Sequence, residues 1–168
     1  DWASVVSEDE LKAQRAAGYF LDLWHWRANR SNPVALSDDQ LVAEARLSDA
    51  GKSPYATNWD GEKKQPRLMF DAAKAGHAAL KWDDVIGGRV GQDSSYALRE
   101  DIAATFNANA GWKDGDTLPR RIVRPSDGSR ADIKVAGKGR WSDGFWDVTL
   151  ARKMDTGNRL EDKIFADR

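Results

Sequence analysis

The alternation of apolar and polar side chains is most informative over residues 18–30, Gly-Tyr-Phe-Leu-Asp-Leu-Trp-His-Trp-Arg-Ala-Asn-Arg. At a period of two, Tyr19, Leu21, Leu23 and His25 share one face, and Phe20, Asp22, Trp24 and Trp26 share the other. Both faces are largely apolar, which predicts a strand covered on both sides, as at the centre of a sandwich or beneath a ligand. The leading Gly18 and the closing Ser31-Asn32-Pro33 favour strand and turn over the helix that spacing alone also permits. Upstream, Ser7-Glu8-Asp9-Glu10 forms a capping box, with Val6 and Leu11 placed as a hydrophobic staple. A helix is expected over residues 8–17, stopped by Gly18.

Downstream the pattern is weaker. Ser37-Asp38-Asp39-Gln40 reads as a solvent-facing loop, or as the start of a short helix through Arg46 capped by Ser37. Residues 48–60 read as a long loop carrying Tyr55 and Trp59, a candidate wall for a site, and Asp60-Gly61 as a tight turn. Residues 83–93, rich in glycine, predict a hairpin or loop. Leu98, Ile102, Thr105 and Phe106 have helical spacing and predict a helix over residues 95–108 capped by Ser94. From Trp112, Asp-Gly turns at 114, 127 and 143 punctuate alternating segments at 121–124, 131–136 and 145–152. That pattern predicts an antiparallel meander with one buried face. The tail, residues 153–168, is polar, with Ile164-Phe165 as a small anchor. The reading is a mainly β protein with inserted helices.

Length and charge narrow the function. The 168 residues suit one domain, and the interspersed charge (32% charged, net −1) argues against a nucleic-acid binder or a polybasic membrane patch. No apolar run approaches 18 residues, so no membrane-spanning segment is expected. The absence of cysteine excludes disulfides, thiolate zinc, iron–sulfur ligation and C-x-x-C-H haem attachment within these residues. The first residue is Asp1, without a methionine or an apolar signal core, as in a processed or trimmed chain. Eight tryptophans fit either a Trp-rich core or a pocket.

Recognised catalytic motifs are missing. No Gly-x-Ser-x-Gly elbow or His-Glu-x-x-His zinc motif occurs, and Gly51-Lys52-Ser53 lacks the first glycine of a phosphate loop. Asp38/Asp39 and Asp83/Asp84 read as surface charge. Met69 offers a soft thioether suited to haem iron and equally suited to a core. His77 lies among small residues that would let a planar group approach.

Asp22-Leu23-Trp24-His25-Trp26-Arg27-Ala28, then Arg30, Asp38-Asp39, Asp49, Gly51, Pro66 and Met69, resemble the haem-binding domain typified by the gamma subunit of ethylbenzene dehydrogenase. Gly139 to Val148 (Gly-Arg-Trp-Ser-Asp-Gly-Phe-Trp-Asp-Val), Ala151-Arg152 and Thr156-Gly157 fit the same family. The resemblance implies an antiparallel β-sandwich with inserted helices that holds one haem and passes single electrons. It implies a redox partner protein or catalytic subunit as partner, and a site outside the cytoplasm, here the periplasm. Without cysteine the haem would be b-type. The family type binds iron through methionine and lysine, which makes Met69 one candidate ligand. His25 is another because imidazole is the commonest protein ligand to haem iron, and His77 is a third. Trp24, His25, Trp26, Tyr55 and Trp59 are the candidate haem-contacting residues. A second ligand would fall in a strand beyond Arg168, so a chain short of its terminal strands stays open. The alternative is a non-catalytic sandwich module binding carbohydrate or peptide through Tyr55, Trp59 and Trp82.

Overall fold

A computed structural model describes residues 6–43, 45–90 and 96–165, except for the side chain of Arg15. Helix α1, Glu8–Ala16, opens at the capping box, where the Glu10 amide donates to Ser7 Oγ at 3.3 Å. Leu11 is its buried anchor, and the chain turns away at Gly18, whose φ of 84° suits glycine.

The aromatic stretch forms strand β1, Leu21–His25, followed by a single 3-10 turn at Asn32–Val34. Strands β2, Asp38–Val42, and β3, Arg46–Ser48, complete an antiparallel sheet in the order β1-β2-β3. The segment expected as a loop or short helix is therefore a hairpin, with β2 as the central strand. Alternation explains why: Asp39, Leu41 and Ala43 fall on one side, and Leu41 and Ala43 pack with Phe20 in a small core. Nor is β1 covered along its whole length, since Leu21 is 55% exposed.

The expected long loop contains strands β4, Tyr55–Thr57, and β5, Trp59–Asp60, and β5 turns through Asp60-Gly61 into β6, Gln65–Pro66. Strand β7, Leu68–Phe70, leads into α2, Ala72–Ala75, which Asp71 caps by accepting from the Ala73 amide. After β8, Leu80–Lys81, comes α3, Trp82–Ile86, so residues 83–86 are helical where a hairpin or loop was expected. Asp83 and Asp84 in its first turn suit a helix N-terminus. Residues 91–93 and the expected cap Ser94 lie outside the described residues.

The expected helix over 95–108 is replaced by β9, Leu98–Arg99, a 3-10 turn, Glu100–Ile102, and β10, Ala103–Thr105. Tertiary packing overrides the spacing here. Leu98 is buried with Phe70 and Ile122, and β10 pairs with β7, setting Ala103 opposite Phe70.

Strand β11, Asp116–Thr117, pairs with β8, and β12, Arg121–Val123, lies between β4 and β9, parallel to the latter. Strands β13, Lys134–Val135, and β16, Leu150–Ala151, pair around the hairpin of β14, Arg140–Ser142, and β15, Phe145–Asp147. Among β11 to β16 only this hairpin joins neighbours in the chain, so the expected meander is corrected to strands that mostly pair across longer distances. Its aromatic side chains are not buried: Phe145 is 77% and Trp146 42% exposed. The protein is thus mainly β and mainly antiparallel, with few helices. Among the described residues no helix is long and apolar enough to cross a membrane.

Candidate functional site

Register assigns the functional side chains to the two sides of the first sheet. Trp24 lies opposite Asp39 and His25 opposite Asp38. Directly opposed residues share a side, so Asp22, Trp24 and Asp39 lie on one and His25, Asp38 and Gln40 on the other.

On the second side His25 is half-buried in a chain of short polar contacts. Its Nε2 lies 2.6 Å from Arg27 Nε, and its Nδ1 lies 2.5 Å from Arg46 Nη2. Arg46 Nε also donates to Gln40 Oε1 at 2.5 Å, and Gln40 Nε2 donates to Asp38 Oδ2 at 2.6 Å. Asp38 is fully buried and held by Arg130 through a two-pronged contact, 2.6 Å to Oδ1 and 3.1 Å to Oδ2. Burial first, then the charges of Arg46 and Arg27, push the His25 pKa below its ordinary value. The imidazole is therefore neutral near pH 7. A neutral ring has one N–H and one lone pair, so it can accept a hydrogen bond from only one of the two guanidinium groups. One arginine sits against a proton it cannot use, which leaves that arm ready to swing to another acceptor.

The first side is acidic. Asp22, Asp39 and Asp162 bring one oxygen each within 4.8 Å of one another. Arg152 enters among them, with Nη1 at 2.5 Å from Asp22 Oδ2, 2.9 Å from Asp162 Oδ1 and 3.9 Å from Asp39 Oδ2. Trp24 and Phe165 meet edge to face, and the guanidinium lies 5.1 Å and 5.4 Å from their ring centres. Thr156 Oγ1 donates to Asp162, and the Lys163 amide donates to Asp22 Oδ2 at 2.9 Å. Burial, reinforced by the neighbouring Asp49 charge, raises the Asp39 pKa to about 8. Asp49 itself, raised by burial and by Glu161 and Asp162, reaches about 7. Asp38 and Asp39 are thus interior carboxyl groups, correcting the expectation of surface charge. Asp83 is exposed, as expected.

The remaining candidates are dispersed. Trp26 meets Trp146 at 5.1 Å, and its Nε1 donates to Asn32 Oδ1 at 3.4 Å. The amide of Asn32 also bonds both backbone groups of Gly139. A Cβ at Gly139 would lie 2.8 Å from Trp26 Cζ2, so only glycine lets the hairpin approach the ring. Tyr55 lies beneath Arg30, 5.1 Å from ring centre to guanidinium. Trp59, 49% exposed, borders a cavity of about 430 Å³ with Phe106 and Trp112. Trp82 borders a neighbouring cavity of about 350 Å³ across the shared Leu118-Pro119 wall. Met69 is buried in β7, and His77 packs on Phe70 with ring centres 4.7 Å apart. Among the described residues His77 Nε2 has no hydrogen-bond partner. His25, Trp24 and Trp26 therefore belong to β1 and the residue just past it, while Met69 is the chain neighbour of Phe70 in β7 and His77 lies against the Phe70 ring.

Asp22, Asp39, Asp49, Asp162, Arg46 and Arg152 escaped the sequence reading as site residues. A signal was present for two of them: Asp22 interrupts an aromatic face, and Asp39 shares a period of two with Leu41 and Ala43.

These features define a mainly β protein whose first sheet separates a neutral imidazole collared by arginines from a buried group of acids. The family model described as ethylbenzene dehydrogenase matches residues 3–167, and the chain belongs to that family. Membership associates the chain with electron transfer within a multi-subunit enzyme. No curated protein and no solved structure matches it.

Proposed function

We propose that this chain is a haem-binding electron-transfer domain or subunit with His25 as an axial ligand. The observation that carries the reading is the neutral, half-buried imidazole of His25 between Arg27 and Arg46. Iron takes the lone pair of a neutral imidazole, the form that burial and the arginines favour here. The surplus guanidinium suits a haem carboxylate, since arginine pairs with carboxylates through two parallel N–H donors. Arg30, close enough to depress the same ring, adds a third cation for those groups. The residues present therefore fit a b-type haem, and when bound it supplies a one-electron iron couple. Trp24 faces the other side of the sheet with Asp39, so Trp26, just past the end of β1, is the flanking tryptophan left to exclude water from the ring. Met69 is the alternative ligand, but its sulfur is packed in β7 and would need that strand to open. The electron would pass to a redox partner or catalytic subunit, in the periplasm.

Titration of the purified chain with haem tests this. A Soret band saturating at one equivalent is expected, with affinity lowered about tenfold or more in His25→Ala and little changed in Met69→Ala. No spectral change at stoichiometric haem would overturn the reading. The reverse order of the two variants would move the ligand to Met69.

A further inference from the structure

The acidic side of the first sheet holds more buried carboxyl groups than its neighbours can pair. Arg130 is engaged with Asp38 on the opposite side, which leaves Arg152 as the cation bonded among Asp22, Asp39 and Asp162. Asp49 adds a fourth carboxylate. It is 2% exposed, and among the described residues neither of its oxygens has a hydrogen-bond partner. Asp39 Oδ2 and Asp22 Oδ1 are likewise buried without one. The β2–β3 pairing ends with Gln40 opposite Ser48; continued one residue past the end of β3 the same register would set Asp39 opposite Asp49, whose charge acts on Asp39. Directly opposed side chains on one side of a sheet are about 5 Å apart at Cβ, close enough for two carboxylates to share one ion.

We propose that Asp39 and Asp49, with Asp22 at their side, bind a calcium ion. The donor set is all oxygen and mostly carboxylate, the set a hard divalent cation takes. Calcium fits better than magnesium, because magnesium keeps several of its waters whereas these oxygens are enclosed by protein. Arg152 Nη1 bonds Asp22 Oδ2 and Asp162 Oδ1 and lies 3.9 Å from Asp39 Oδ2, which leaves Asp22 Oδ1 and both oxygens of Asp49 without a hydrogen-bond partner among the described residues. The ion would fix β3 to β2 and offset the repulsion among the four acids.

The test uses the full chain freed of metal with a chelator, then titrated with CaCl2 while thermal unfolding is followed. A rise in Tm that saturates with a dissociation constant of about 1 mM or tighter is expected. Terbium in place of calcium should give luminescence sensitised by the nearby Trp24. Asp49→Asn preserves shape and removes the charge, and should weaken binding about tenfold or more; Asp83→Asn, on the exposed helix α3, should leave it unchanged. If Asp49→Asn does not fold, terbium luminescence of the parent chain still decides. Unchanged Tm and no sensitised luminescence at about 10 mM metal would overturn the site. The same result with Tm falling steeply above pH 6 would assign the unpartnered oxygens to shared protons instead.

Discussion

Trp24 and His25 are neighbours in the chain, yet they face opposite sides of one sheet, and the two sides handle charge in opposite ways. Beside His25, arginines outnumber what they can pair with, and the imidazole stays neutral beneath them. Beside Trp24, acids crowd around the single guanidinium of Arg152. A one-residue slip of β1 would exchange the two sets, so register here fixes electrostatics as firmly as packing. The comparison teaches that a strand can hold a cation-rich site and an anion-rich site back to back, kept apart only by its own backbone.

The largest expected effect comes from the acidic side. Arg152→Met leaves Asp22, Asp39 and Asp162 buried without their cation, and urea unfolding should show a loss of about 3–5 kcal/mol. A loss below about 1 kcal/mol would mean that the acids are already neutralised in some other way.

Next comes pH. In the folded protein Asp39 and Asp49 hold their protons up to about 8 and 7, against 3.8 in an ordinary carboxyl. Between those limits the folded state binds protons that the unfolded chain has released, so stability falls as pH rises. The contribution is whole below about pH 4 and is lost by the time pH passes about 7 and 8, on the order of 1 kcal/mol per pH unit for each group. Urea unfolding in chelator across this window should show the decline, and Asp49→Asn should flatten it. A flat profile in the parent chain would break the contrast between the two sides.

The smallest effect belongs to the basic side. Arg46 is exposed, so Arg46→Met should cost less than about 1 kcal/mol in stability. It should nevertheless raise the His25 pKa toward its ordinary value, read from the ring protons by NMR. An unmoved titration would show that burial and the remaining arginines, Arg27 and Arg30, depress it without Arg46.

How much of this was legible depended on distance along the chain. Helix α1 follows from Ser7 and Glu10, three residues apart, and β1 from an alternation contained within it. The position of His25 was readable, and so were Arg27 and Arg30 beside it. Asp38 and Asp39 were not, because Asp-Asp-Gln looks the same on a surface loop as in a core until its cations are known. Those cations come from far away: Arg130 is 92 residues from Asp38, and Arg152 is 130 from Asp22. The misplaced helix over 95–108 failed for a different reason. Leu98 and Ile102 are four apart, as a helix requires, but a 3-10 turn between two short strands buries them just as well.

The span between Asp22 and Arg152 also bears on how the chain matures. On the ribosome, the hairpin of β1 and β2 emerges long before the guanidinium that neutralises it, and closing so long a loop is entropically slow. Until then Asp22 and Asp39 stay hydrated, and burying them would be uphill. The hairpin of β1 and β2 is therefore among the last parts to dock, which leaves Trp24 open to chaperones or to a prosthetic group while synthesis continues.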